Sequence, residues 1–166
     1  MLAVGDASSP IEVLRAFIGM PELEQAQMAD DPRVIAAVDA LTTEAAYRPD
    51  DAALRHVLGW WHALAESRTS DPIKQAAHES AAHELLLPVY RITPGEIPPA
   101  MTVRFRRDFR LAHERVIQLF RELPGDGSAD PSLLVDACRS ALALTPEGSP
   151  NRARLLSNLG SALRIR

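Results

Sequence analysis

The sequence predicts an all-α fold. Apolar residues recur at spacings of three and four in almost every segment, no window alternates with a strand period, and prolines beside capping side chains divide the chain into helix-length pieces. Each element follows from these signals. Ser9 and Pro10 form an N-cap and first-turn proline, and Ile11, Leu14, Phe17 and Ile18 then fall on one face. Pro21 opens a polar helix through Met28. Asp31 and Pro32 start a third, lined by Val34, Ile35, Val38 and Leu41, and Pro49-Asp50-Asp51 ends it and caps the next. That fourth helix carries Leu54, Val57, Leu58, Trp61 and Leu64, with Trp61 expected inside and Trp60 at the edge or exposed.

Ser70-Asp71-Pro72 begins a helix expected to run through Leu87, lined by Ala76, Ala77, Ala81 and Leu85. Pro88, Pro94, Pro98 and Pro99 predict irregular chain over 88–100. A long helix follows from about Thr102 to Leu123, with Phe105, Phe109, Ala112, Val116 and Phe120 on its stripe. The Gly/Asp/Ser stretch Pro124 to Pro131 is a loop, and two last helices span Ser132 to Leu144 and Asn151 to Arg166.

Composition narrows the function. The 166 residues are 46% hydrophobic and 24% charged, an ordinary globular balance. The formal net charge of -4 provides no global basic field to recruit nucleic acid. Lys74 is the only lysine, and the arginine-dominated remainder is the usage of a high-GC genome. Cys138 is the only cysteine, so no intrachain disulfide forms and a reducing cytoplasm fits. Met1 to Pro10 has neither the basic start nor the apolar run of a signal peptide, and no segment approaches the ~20 apolar residues of a membrane helix. The expected protein is cytoplasmic, without membrane contact.

Motifs for chemistry are absent or fail on spacing. His78-Glu79-Ser80-Ala81-Ala82-His83 resembles a zinc-peptidase helix, but histidines five apart point about 140° away from each other. Cys138 shares an apolar stripe with Leu134, Ala141 and Leu142 and reads as buried and inert. There is no phosphate loop, dinucleotide fingerprint or nucleophile elbow. No catalytic residue, cofactor or metal is therefore assigned, and the chain is read as a non-enzyme.

Two internal parallels organise the chain. Leu86-Leu87-Pro88-Val89-Tyr90-Arg91-Ile92-Thr93-Pro94 parallels Cys138-Arg139-Ser140-Ala141-Leu142-Ala143-Leu144-Thr145-Pro146, and Leu58-Gly59 parallels Leu159-Gly160. Glycine in such a pair lets a partner helix approach while leucine fills the interhelix core. A small-residue helix closing in Pro146, a short turn, and a helix with Leu155, Leu156, Leu159, Gly160 and Leu163 resemble the join between two tetratricopeptide repeats. Asn151 to Arg164 and Ala141 to Pro146 are similar to the repeats of actinobacterial tetratricopeptide proteins that carry a CHAT domain, a caspase-like peptidase. Leu58-Gly59-Trp60-Trp61-His62, Leu85 to Tyr90 and Pro94 resemble the region preceding those repeats.

The resemblance implies antiparallel helix pairs stacked as a short, right-handed, tetratricopeptide-like solenoid in one domain over 1–166. N-terminal capping helices occupy 10–48, a degenerate repeat 50–94, a repeat 101–146, and the first helix of a further repeat or a cap 150–166. The excess over the standard 34-residue repeat is assigned to the loop Glu66 to Pro72. The chain would be the binding arm of such a protein rather than its peptidase.

By the same resemblance, the first helix of each pair faces a ligand groove, through His56 and Trp60 in one and Arg154, Asn158 and Ser161 in another. Leu155, Leu156, Leu159 and Leu163 form an association surface, through which either a homo-oligomer assembles or the solenoid continues. Arg104, Arg106, Arg107 and Arg110, interleaved with Phe105 and Phe109, form a basic cluster read first as a solvated helix face and second as a patch for an acidic partner; the phenylalanine spacing favours core over base stacking, which disfavours nucleic acid. The expected function is a protein–protein interaction module for a peptide or helix. The alternatives are a regulatory arm of a CHAT-type peptidase system and a ligand-binding domain with a polar pocket around His62, His78, His83 and His113.

Overall fold

A computed structural model describes residues 8–122 and 131–165, and these contain eight helices and no strand. They are α1 (Pro10–Ile18), α2 (Glu22–Met28), α3 (Pro32–Tyr47), α4 (Ala52–Arg68), α5 (Pro72–Ile92), α6 (Pro99–Glu122), α7 (Pro131–Ala143) and α8 (Pro150–Ile165). The expected loop Pro124 to Pro131 lies, except for Pro131, outside the described residues, as do Leu123, Arg166 and Met1 to Ala7. The chain forms two compact units, Met1–Val89 and Tyr90–Arg166.

Helix starts follow the capping chemistry in the sequence. The Glu12 carboxylate accepts from the Ser9 backbone N–H at 2.8 Å and from its hydroxyl at 3.0 Å, ahead of Pro10. Asp31 accepts from the Arg33 N–H at 2.8 Å, and Asp51 from those of Ala53 and Leu54 at 2.9 and 3.1 Å. Arg48, at the end of α3, bridges Glu44 and Asp51, tying that end to the start of α4. The bonds to Ser9, Arg33 and the α4 amides hold the carboxyls of Glu12, Asp31 and Asp51 below their ordinary values.

Packing decides the first unit. Leu14 and Phe17 of α1 are buried with Val34, Ala37, Val38 and Leu41 of α3 and Leu54, Val57 and Leu58 of α4. Burying two such side chains is worth about 3–6 kcal/mol, against about 1 kcal/mol for a cap, so α1 is held mainly by its stripe. Buried Gln25 donates to the Ile18 carbonyl at 2.8 Å and fastens α2 to the end of α1. Ile35, expected on the core face of α3, is 45% exposed because it lies about 100° from Val34 on the helix.

Helix α5 departs most from expectation. It runs through Pro88 to Ile92. Proline there removes one helical hydrogen bond at about 3 kcal/mol, but Leu86, Val89 and Tyr90 are all buried, at about 1.5–3 kcal/mol each. The burial outweighs the break. Its core stripe is Ala82, Leu86 and Val89, one residue on from the predicted register, and Ala76 and Ala77 are exposed. The linker before it is only Thr69–Asp71; the residues assigned to a longer loop complete α4 instead.

In the second unit, α7 packs on α6 and α8 packs on α7. Val116, Leu134, Val135, Cys138, Ala141, Leu155 and Ala162 form the core. Tyr90 stacks on Phe105 with centroids 4.9 Å apart. Helix α6 begins at Pro99, a first-turn proline, rather than at Thr102. The turn after α7 is built on buried Thr145, whose hydroxyl donates to the Ala141 carbonyl at 2.6 Å while its own carbonyl accepts from Arg152 at 3.3 Å. The Glu147 N–H donates to the Arg91 carbonyl at 2.8 Å, so this turn is bonded to the end of α5 just before Thr93-Pro94.

The glycines of the two Leu-Gly pairs have opposite surroundings. A Cβ on Gly59 would lie 2.5 Å from Leu86 Cγ and 3.3 Å from Leu85 Cβ, whereas one on Gly160 would meet nothing within 4 Å. Gly59→Ala should therefore destabilise the protein by about 1–3 kcal/mol through overpacking. Gly160→Ala should stabilise it by up to about 1 kcal/mol through helix propensity. Urea unfolding of both variants checks the pair, and equal effects would contradict the close approach at Gly59.

Candidate interaction surfaces

Three surfaces collect the residues singled out in the sequence. The first is on α4. His56 and Trp60 lie one turn apart, both half-buried, with rings in an edge-to-face contact at 6.5 Å. Trp61, expected in the core, is half-buried and walls an open cleft of about 320 Å³ in the first unit. Phe17, Ala29, Leu64 and Ala65 make the rest of its apolar wall, and Asp30, Arg68, Thr69 and His78 supply polar groups. The Arg68 guanidinium lies 6.0 Å from the Phe17 ring centroid.

Behind this cleft, α4 and α5 meet through two imidazoles. His62 Nδ1 and His78 Nδ1 are 2.9 Å apart, and Trp61 presents an edge-on contact to each ring at 5.0 and 5.4 Å. The ring centroids are 5.1 Å apart, so the two nitrogens point nearly head-on. One must carry a proton and the other a lone pair. Burial, followed by the nearby charge of His78, pushes His62 down to about 4. This contact joins two members of the polar pocket expected around His62, His78, His83 and His113. His83 is half-buried five residues along α5, and His113 belongs to the second unit, where it stacks on Phe109 at 5.6 Å. Among the described residues, no three His, Cys, Asp or Glu side chains group so as to hold a metal ion.

The second surface is α8. Arg154 is exposed and Asn158 half-buried, and the hydroxyl of half-buried Ser161 accepts from Arg164 at 3.2 Å. The expected association surface divides. Leu155 is completely buried in the core of the second unit, because it points about 100° away from Leu156. Leu159 is half-buried, and Leu156 and Leu163 are 51% and 46% exposed.

The third is the arginine patch on α6. Arg104 is half-buried, with a guanidinium nitrogen 3.9 Å from Met101 Sδ, and Arg107 pairs with Asp108 at 3.0 Å. Arg106 and Arg110 are exposed. Phe105 is completely buried, so it serves the core rather than a partner. Burial raises the thiol pKa of Cys138, which suits an inert core residue.

The expected polar pocket groups His62 with His78, but sequence inspection misses the head-on pairing of their Nδ1 atoms, since the only spacing His78 shows in the sequence is the failed one to His83. It also missed the depth of the Leu-Gly parallel. Aligning Gly59 with Gly160 pairs Ala52 with Ala153, Leu54 with Leu155 and Leu58 with Leu159. Leu54 and Leu155 are both buried. Comparison with protein-family models, curated proteins and solved structures finds no match. No helix of the described residues is long and apolar enough to cross a membrane.

The His62 environment sets a pH dependence. An unfolded histidine titrates near 6.5, whereas folded His62 takes its proton only near 4. The unfolded chain gains that proton first, so this contribution is complete above pH 6.5 and is lost as pH falls to about 4. The carboxylates of Glu12, Asp31 and Asp51 act lower, below their ordinary 4.5 and 3.8. Thermal melts should show Tm falling between pH 6.5 and 4, with His62→Gln flattening the fall; identical profiles would remove His62 as the cause.

Proposed function

We infer that this chain is a non-catalytic protein–protein interaction module built from tetratricopeptide-like helix pairs. The observation that carries this reading is the approach of α5 to Gly59, in a helix whose pattern of Ala, Leu and Leu-Gly is repeated in α8. A repeated helix that buries the same leucine, and in one copy receives a partner across its glycine, suits a modular stack. In this reading the stack is a right-handed solenoid capped by the N-terminal helices, and α4 and α8 each offer one row to a peptide or helix. His56 and Trp60 form the row on α4, and Arg154, Asn158 and Ser161 that on α8. A half-buried tryptophan supported by a neighbouring ring is the kind of rigid anchor that dominates binding energy. The sequence resemblance extends the proposal to an arm that regulates a CHAT-type peptidase.

A peptide-display selection against the intact chain tests the function. It should enrich one sequence pattern, and Trp60→Ala should weaken the selected peptide by about 2 kcal/mol or more, as hot-spot truncations do. Failure to enrich any peptide, or binding unchanged by both Trp60→Ala and Asn158→Ala, would overturn the groove reading.

A further inference from the structure

Helix α5 is held unevenly along its length. From Ala82 onward its inner side is deeply buried, through Ala82, Leu86 and Val89. Before that, every residue of 71–80 is exposed except His78, which is half-buried. The first turns of α5 thus present one partly buried side chain to the rest of the unit. That side chain meets His62 of α4 end to end, Nδ1 to Nδ1 at 2.9 Å, with Trp61 edge-on to both rings. His78 is also the one residue of α5 that lines the cleft.

A bond between two imidazole nitrogens has a built-in limit. It holds with no added proton, one ring donating and the other accepting. It holds with one added proton, since an imidazolium still donates to the lone pair of its neighbour. A second proton leaves two donors and two like charges face to face at 2.9 Å, and the bond turns into a repulsion. Other charged groups surround the pair. Glu66 lies one turn beyond His62 on α4, Arg68 lines the cleft from the end of that helix, and Asp30 lines it from between α2 and α3. On α5, Lys74 and Glu79 flank His78, and His83 lies five residues on. Helix α1 contributes the uncharged Phe17. The charge that acts on His62, after its own burial, is that of His78.

We propose that the His62–His78 pair is an acid-released clasp on the first half of α5. Double protonation parts the two helices at this point, frees residues 72–81 and removes the α5 wall of the cleft beside Trp61. A helix segment this short without lateral support is marginal in water, so the freed turns unwind while the core from Ala82 onward stays packed. The event is local, and it makes the completeness of the cleft depend on pH. Release returns His62 from about 4 to an ordinary 6.5, so the freed arm takes the proton first and acid favours release. The ratio of freed to clasped chains should rise about 20-fold between pH 7 and pH 5, and about 100-fold by pH 4.

Hydrogen exchange of the intact chain, resolved by fragment and expressed as protection relative to an unstructured chain at the same pH, tests this. Amides of 75–81 should lose about 20-fold in protection between pH 7 and pH 5, while those of 84–92 hold theirs. His62→Gln removes the second protonation and should keep the protection of 75–81 within about twofold over that range. Equal losses over 75–81 and 84–92 make the effect one of the whole fold and overturn the clasp. Unchanged protection of 75–81 in the wild type overturns it too, as does a wild-type loss that persists in His62→Gln. If that variant does not fold, an NMR titration of the His62 ring in the wild type decides. Protonation at least about one unit below 6.5, in step with the exchange of 75–81, supports the clasp, and protonation nearer 6.5 overturns it.

Discussion

The structure of the first unit depends on one close contact, the passage of Leu86 across Gly59. The site tolerates no side chain on α4, and this lets α5 settle deeply enough to bury Leu86 and Ala82 completely. The same approach brings His78 within hydrogen-bonding distance of His62. It also places His78 beside the cleft walled by Trp61, Leu64 and Ala65. A wider spacing between these helices would lose the imidazole bond and expose Leu86, so a single missing side chain organises both packing and surface.

The second unit is organised by a polar group. Thr145 is buried without cost because its hydroxyl returns a hydrogen bond to α7 and its carbonyl receives one from Arg152 of α8. That arrangement fixes how α8 leaves the turn, and burial of Leu155 and Ala162 then fixes its rotation. With these two inward, Leu156 and Leu163 must face outward. The exposed leucines thus follow from the demands of the core, and they are not a failure to bury apolar surface.

The all-helical class and most helix starts were legible in the sequence, because Ser9, Asp31 and Asp51 act through bonds to residues two or three positions away. Core stripes were legible where one face dominates, as for Leu14 and Phe17. They were misjudged in α5, whose alanines give no contrast between faces and whose true register is set by Gly59 on another helix. Pro88 misled for a related reason: a local rule predicts a break, but burial of Leu86, Val89 and Tyr90 outweighs it. The expected pocket of four histidines named His62 and His78, but which two would touch was illegible, since the contact exists only once two helices are placed. Leu155 shows the remaining limit. Adjacent leucines look alike in sequence, and only the packing of α8 on α7 separates the buried one from its exposed neighbour.

The contrast between α4 and α8 links packing to recognition. Both helices bury the same leucine, Leu54 or Leu155, and keep a glycine five residues further along. They differ four residues before the glycine, where α4 has Arg55 and α8 has Leu156, and three after it, where α4 has His62 and α8 has Leu163. A histidine there demands a polar partner, and α5 supplies one in His78, which fixes the pairing by a directional bond. A leucine there asks only for apolar cover, and Leu163 is 46% exposed. A shared sequence pattern thus yields a row in α4 that α5 covers and, in α8, a row with an open glycine and an exposed leucine.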